Sequence, residues 1–222
     1  MIRLEQVSKS YLTLRGRKQV LRNLDLEIPS GLNVGLIGRN GAGKSTLMRL
    51  LSAVDLPDSG KIITKGTLSW PVGLSGGMQT TLSGRENVKF VCRIHGLRGA
   101  QMREKLKYVQ EFAQLGEYFD QPVSTYSSGM RARLAFGTSM AFDFDYYLID
   151  EILAVGDATF KQKSRRVFAE RLQRSKVILV SHNMGLIRKM CDAVVLLEGG
   201  KATLYEDKEQ GIAAYEAAGE VQ

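Results

Sequence analysis

No run in this 222-residue chain approaches the roughly 18 consecutive apolar residues of a membrane helix, so no helical membrane span is expected. The opening residues, Met1-Ile2-Arg3-Leu4-Glu5, lack the apolar core that a secretory signal peptide needs. Cysteine is scarce. Cys92 and Cys191 are too few for a disulfide framework, and neither sits in a Cys-x-x-Cys or Cys/His cluster suited to zinc. The expectation is two reduced, partly buried thiols in a cytosolic protein. Internal repeats, heptad arrays and low-complexity linkers are also missing. What remains is ordinary for a folded domain: 44% hydrophobic and 24% charged residues, too apolar for a disordered chain. The length suits one domain, or one domain with a subdomain.

The formal charge is +8 and the pI about 9.5, a balance that invites nucleic acid or an anionic membrane surface as partner. The positive charge is diffuse, however, and residues 134–157 interrupt it with five acidic side chains and no Lys or Arg. That acidic block is the feature to be explained.

Along the chain, Ile2 to Val7 and Val20 to Ile28 read as strands, and Pro29-Ser30-Gly31 as a turn. Leu32 to Ile37 is a short apolar run of the kind buried in a parallel sheet. A glycine-rich loop and a helix from about Lys44 to Val54 follow. Short strands are expected near Lys61–Ile63 and Thr67–Trp70. From Gly84 to about Phe142 the apolar spacing is helical, with a break over Asp120 to Ser128. Strand–helix alternation then resumes. Tyr146–Ile149, Val177–Val180, Ala193–Leu197 and Lys201–Tyr205 read as strands, and Ala158–Leu172 and Lys208–Ala218 as helices. An α/β body is thus split by a helical insertion.

Gly38-Arg39-Asn40-Gly41-Ala42-Gly43-Lys44-Ser45 fits G-x-x-x-x-G-K-[ST] between an apolar strand and a helix. Glycines let the backbone wrap an anion closely, and the following helix turns its N-terminal N–H groups on the same phosphates. Lys44 would reach the β- and γ-phosphates, and the Ser45 hydroxyl would bind Mg²⁺. A chain of this composition meets the pattern by accident about one to two times in a hundred, so the loop reads as a nucleotide site.

Phosphoryl transfer also needs acids at the end of a buried strand, and the acidic block supplies them in Tyr146-Tyr147-Leu148-Ile149-Asp150-Glu151. Asp150 would hold Mg²⁺ and Glu151 would polarise the attacking water as general base. Asp143 and Asp145 precede the strand and read as exposed turn residues. Ser127-Ser128-Gly129 stand before an apolar helix, a pattern that fits an anion-binding terminus and, taken alone, fits a plain N-cap better. His182, after the strand Val177–Val180, would contact the γ-phosphate or orient water. His95, beside Gly96 in the insertion, reads as a surface residue.

Taken in order, these residues resemble the nucleotide-binding subunit of ATP-binding-cassette (ABC) transporters over essentially the whole chain. The fold this implies is an α/β P-loop NTPase: a RecA-like core, an N-terminal antiparallel β subdomain and a helical subdomain inserted at about residues 84–142, all in one domain spanning 1–222. By the resemblance, Tyr11 matches the aromatic that stacks on adenine, and Gly38–Ser45, with Thr46 after them, match the phosphate loop. Ser127-Ser128-Gly129 match the signature motif, with Tyr126, Ser128 and Met130 as departures. Asp150 and Glu151 match the metal aspartate and catalytic glutamate, Asp157 the loop at the dimer interface, and His182 the switch histidine. Gln79 is carried over for the magnesium-sensing glutamine although it sits closer than usual to the Leu82–Asn87 segment. The implied assembly is a head-to-tail homodimer with ATP and Mg²⁺ between the partners, docked on a separate membrane permease at the cytoplasmic face of the inner membrane.

Two segments narrow the branch. Ile152-Leu153-Ala154-Val155-Gly156-Asp157-Ala158-Thr159-Phe160 follows Glu151, and Thr81-Leu82-Ser83-Gly84-Arg85-Glu86-Asn87-Val88 follows a Gly-rich loop. Both look like bacterial exporters of cell-surface polysaccharide, capsular polysaccharide above all. O-antigen, teichoic acid and lipid cargoes are the alternatives. The stretch after His182 suffices for two strands and a helix and not for a sugar-binding domain, so no contact with polysaccharide is expected. A nucleic-acid- or ribosome-associated ABC ATPase is the reading the basic pI keeps open. Such relatives carry two cassettes or a long coiled coil, neither of which is present, and no nucleic-acid partner is expected. A nucleotide sensor without turnover is disfavoured by Glu151 and His182. The diffuse basic surface suits the anionic inner face of a membrane.

Overall fold

The computed structural model describes residues 1–14, 16–72, 78–150 and 157–219. The chain divides into two compact units. The first comprises Met1–Pro71, Phe144–Glu151 and Ser175–Gln222, the second Val72–Asp143 and Ile152–Arg174. The expected insertion at 84–142 falls inside the second unit.

The first unit carries two sheets. In the three-stranded sheet, β1 (Ile2–Thr13) pairs antiparallel with β2 (Gly16–Ile28) on one edge and with β4 (Ser59–Thr64) on the other. Ile2, Leu4 and Val7 of β1 and Leu21, Leu24, Leu26 and Ile28 of β2 are buried together. Both strands run further into the hairpin than their apolar residues suggested. From Ser8 to Arg17 the side chains are polar or exposed while the backbone ladder continues to Thr13↔Gly16. Periodicity reports burial, and this part of the hairpin pairs without being buried.

The five-stranded sheet has the order β5-β6-β3-β7-β8, with β3 (Val34–Ile37), β5 (Tyr146–Asp150), β6 (Lys176–Val180), β7 (Ala193–Glu198) and β8 (Lys201–Tyr205). The first four are mutually parallel and β8 is antiparallel at the edge. All of β3 is buried, as its unbroken apolar run requires of a central parallel strand. Helix α1 (Lys44–Leu51) packs Leu47, Met48, Leu50 and Leu51 into the same core. The helix ends earlier than Val54. Ala53 takes a left-handed φ of +54°, and the N–H groups of Val54 and Asp55 both donate to the Arg49 carbonyl. The strand expected at Thr67–Trp70 is reduced to one bridge, Leu68 with Tyr146, flanked by Tyr146 N–H to Thr67 O and Ser69 N–H to Tyr146 O. Next along the segment the Leu148 N–H donates to the Ser69 hydroxyl instead of a carbonyl, and Pro71, two residues on, has no backbone donor. Helices α6 (Met184–Met190) and α7 (Lys208–Gly219) complete this unit.

The second unit is helical: α2 (Gly84–Ile94), α3 (Gly99–Ala113), α4 (Ser128–Met140) and α5 (Ala158–Leu172), with short 3-10 turns at Gly116–Asp120 and Val123–Thr125. Phe112, Phe136 and Phe160 form its aromatic centre, with ring centroids 5.5 to 6.4 Å apart. Among the described residues no helix is long and apolar enough to cross a membrane. Both cysteines are unpaired and fully buried rather than partly so, and burial pushes the Cys191 thiol up to about 12.

Candidate functional site

Strand register brings Asp150, the root of the glycine-rich loop and the turn carrying His182 to one edge of the sheet. Leu36 of β3 stands opposite Val180 of β6 and Val195 of β7, and Val180 stands opposite Asp150 of β5. β6 ends at this row and β3 one residue beyond it at Ile37, while β7 runs on to Glu198. Two residues beyond the row β3 has passed into the glycine-rich loop at Gly38, and β6 has reached His182. Asp150 is itself the last residue of β5. Asp150 and the root of the loop are two strand spacings apart, about 10 Å. Ligands of open α/β sheets collect at this carboxyl edge.

The loop itself is built on close backbone approach. Gly38 is buried, and a Cβ there would stand 2.4 Å from the Leu197 carbonyl oxygen. Gly43 has φ +106° and packs against Val20 and Leu21. The Lys44 side chain is buried, and its ammonium donates to the carbonyls of Gly38 (2.6 Å) and Arg39 (3.1 Å). The loop is thus cross-braced by its own lysine. Helix α1 starts at Gly43 with no side-chain cap. A helix N-terminus that follows a glycine-rich loop in this way is where such loops can receive an anion. Ser45 is exposed on the first turn and Thr46 half-buried.

Beside the loop lies a cavity of about 370 Å³ lined by Tyr11, Thr13, Lys18 and Val20 from the hairpin and by Gly41, Gly43, Lys44, Ser45 and Thr46. The phosphate loop and the expected adenine-stacking tyrosine therefore share one wall-to-wall space. Arg39, Asn40 and Ala42 line a separate cavity of about 200 Å³ with Leu196–Gly199 and α7. Thr13 and Lys18 were not anticipated. Tyr11 and Lys18 are cross-strand partners, a pairing legible only once the hairpin register is known. Asp55 was also missed. It accepts from the Tyr11 hydroxyl at 2.9 Å and from the Lys9 ammonium at 2.7 Å. Lys9 above all holds the Asp55 carboxyl below the usual carboxylate value.

His182 is exposed in the turn between β6 and α6. Next to it the Asn183 N–H donates to the Ser181 hydroxyl (3.0 Å), and the Asn183 side chain caps α6 by accepting from Leu186 N–H. Glu151 lies outside the described residues. Among the described residues no group of three or more His, Cys, Asp or Glu side chains is clustered to hold a metal.

The second unit holds the remaining candidates. Ser127 is the N-cap of α4 and accepts from the Met130 N–H at 3.2 Å, so the capping role weighed for it is present. Ser128 and Gly129 open the helix, and among the described residues, its chain neighbours and own helix backbone aside, a Cβ placed on Gly129 would meet the Ser127 hydroxyl at 3.9 Å. Asp157 is the N-cap of α5. It accepts from Phe160 N–H at 2.9 Å and pairs with Arg133. That N–H first, and Arg133 after it, hold the Asp157 carboxyl below its ordinary value. Gln79 is latched through its backbone. Its N–H donates to Asn87 Oδ1 (2.8 Å) and its carbonyl accepts from Asn87 Nδ2 (3.0 Å), fixing it to the first turn of α2.

Comparison with known proteins agrees with this geometry. The ABC transporter family model matches residues 21–154. The polysialic acid transport ATP-binding protein KpsT of Escherichia coli is 52% identical over 216 residues, covering 97% of this chain and 96% of that protein. The capsule polysaccharide export ATP-binding protein CtrD of Neisseria meningitidis serogroup B is 42% identical, covering 97% and 98%. The dimeric post-hydrolysis state of the ATP-binding cassette MJ0796, bound to ADP and Pi, superposes with a TM-score of 0.72 at 22% identity over 92% of this chain and 98% of that one. The chain belongs to the ABC transporter family, as its ATPase cassette.

Proposed function

We propose that this chain is the motor subunit of a bacterial capsular polysaccharide exporter, bound to a separate permease at the cytoplasmic face of the inner membrane. The observation that carries the cargo assignment is the 52% identity, over nearly the full length of both chains, to a polysialic acid transport ATP-binding protein. ATP is the nucleotide. Its base stacks on Tyr11, and its phosphates lie on Gly38, Arg39, Asn40, Gly41, Ala42, Gly43 and Thr46. Lys44 meets the β- and γ-phosphates with a charge-assisted hydrogen bond.

The donor set also fits Mg²⁺. Ser45 supplies a hydroxyl oxygen and Asp150 a carboxylate, both hard ligands. Magnesium in such sites keeps waters and borrows substrate phosphate oxygens. When bound, the ion neutralises charge on the departing phosphates. Glu151 takes the proton of the attacking water, and His182 orients that water or contacts the γ-phosphate.

The second half of each site comes from a second copy. Ser127, Ser128 and Gly129 present the N-terminus of α4 to the partner's γ-phosphate, and Asp157 lies at the dimer contact. ATP closes the pair and hydrolysis reopens it, a two-state change driven by differential binding. The permease alone handles the polymer.

Deleting the gene in its host tests the reading. Polysaccharide is expected to vanish from the surface and accumulate inside, and wild-type protein but not Glu151→Gln is expected to restore export. Unchanged surface polysaccharide overturns the cargo assignment.

A further inference from the structure

We propose that Asp55 is a positioning residue for the nucleotide base, holding the Tyr11 ring at the angle the base stacks on; this rests on the reading of Tyr11 given above. After Leu51 the backbone reverses through Ala53 at φ +54°, and the Asp55 N–H donates to the Arg49 carbonyl at 3.2 Å. Asp55 is thereby fixed to the last turn of the helix whose first turn forms the phosphate cradle. Its two carboxylate oxygens have separate duties. Oδ2 accepts the Tyr11 hydroxyl at 2.9 Å, while Oδ1 accepts the Lys9 ammonium at 2.7 Å and the Leu56 N–H at 2.9 Å.

Lys9 closes the arrangement. It donates to the Leu56 carbonyl at 2.6 Å and stands 5.4 Å from the centroid of the Tyr11 ring. Both charged side chains of the pair are largely shielded, with 11% of Lys9 and 18% of Asp55 exposed. A tyrosine has two rotatable side-chain torsions, and on the outer part of a hairpin the ring would be free to turn. A hydroxyl held by a charged acceptor removes that freedom before the ligand arrives. An eight-residue helix, about 12 Å long, thus sets both ends of the ligand: phosphates at its N-terminus, base through the residue just past its C-terminus.

The test compares Tyr11→Phe, Asp55→Ala, Asp55→Asn and the double variant Tyr11→Phe/Asp55→Ala with Tyr11→Ala, all in the full chain. Binding is measured with a fluorescent ATP analogue and with inorganic tripolyphosphate as competitor. Tyr11→Phe keeps the ring and loses only the hydroxyl, so it survives even if Asp55→Ala folds poorly. Tyr11→Phe and Asp55→Ala are each expected to weaken ATP binding by about three- to tenfold, and the double variant no further, because both break one contact. Asp55→Asn, which keeps a neutral acceptor, is expected to lie between wild type and Asp55→Ala. Tripolyphosphate, which has no base, is expected to bind all variants equally. Full ATP affinity in Tyr11→Phe with a large loss in Tyr11→Ala overturns the role of Asp55 and leaves base stacking standing. Equal losses for ATP and tripolyphosphate also overturn it, since Asp55 would then act on the loop. Full affinity in Tyr11→Ala overturns stacking and positioning together.

Discussion

Two glycines of the phosphate loop stand in different surroundings, and the difference is testable. At Gly38 an added Cβ meets backbone, the Leu197 carbonyl oxygen at 2.4 Å, and Leu197 is fully buried in β7 and cannot recede. At Gly41, with φ +80°, nothing lies within 4 Å and only the left-handed backbone resists a side chain. Gly38→Ala is therefore expected to cost about 1–3 kcal/mol and Gly41→Ala about 1 kcal/mol. Urea unfolding without nucleotide measures both, and the reverse order would falsify this account of the loop. Two serines also differ in their surroundings. The Ser127 hydroxyl caps α4, whereas exposed Ser45 lies on the first turn of α1, whose N-cap is Gly43 with no side chain.

Helix α4 depends on that cap, which complicates any mutation of the signature segment. Ser127→Ala is expected to cost about 1 kcal/mol through the lost bond to the Met130 N–H, and Ser127→Asn very little, because asparagine caps equally well. If Ser127 also binds phosphate in a partner, Ser127→Asn keeps stability and loses ATPase activity. Wild-type turnover by Ser127→Asn would leave the residue a cap only. A second element-scale device is Asp145, at the start of β5, which accepts from the Thr67 N–H (2.7 Å) and hydroxyl (2.9 Å). Those bonds, the N–H first, hold its carboxyl below the ordinary 3.8. A depressed carboxyl stabilises the fold above its unfolded value and loses that contribution as pH falls through the folded one. Asp145→Asn is expected to lower stability near neutrality and to make no difference in strong acid. Urea midpoints across the acid limb check this, and a penalty independent of pH would contradict it. Elements of this kind show what was legible beforehand. Strands β3, β5, β6 and β7 were readable because each is an apolar run that must be buried. The outer hairpin, the early end of α1 and the reduced pairing at Thr67–Trp70 were not. Their backbone bonds form without an apolar face, and the reversal at Ala53 carries neither glycine nor proline as a signal. The phosphate loop and Asp150 announced themselves through chemistry tied to local spacing. Asp55 could not, because its contact to Tyr11 spans 44 residues and exists only in three dimensions.

At the scale of the whole molecule, the +8 charge is less informative than the way the candidate functional residues are divided. Tyr11, Lys44, Asp150 and His182 belong to one compact unit, and Gln79, Ser127 and Asp157 to the other. A head-to-tail dimer would combine the first set of one copy with the signature residues of the next. Each chain then carries two half-sites, and damage to one half can be complemented by a second chain damaged in the other. Lys44→Ala abolishes the phosphate half and Ser127→Asn the signature half, so each variant alone is expected to be inactive. Mixed in equal amounts and allowed to exchange, about half of the dimers are mixed pairs. Every mixed pair has one site with an intact loop from the Ser127→Asn chain and an intact Ser127 from the Lys44→Ala chain. Its other site carries both lesions. If the sites act independently, the mixture recovers about a quarter of wild-type ATPase activity per chain. If the sites fire only together, it recovers none, but the mixed pairs still trap one ATP each in the presence of Glu151→Gln on both chains. A chain that builds its whole site alone predicts neither recovery nor trapping. Measuring turnover and trapped nucleotide on the same mixture therefore distinguishes a shared site from a self-contained one.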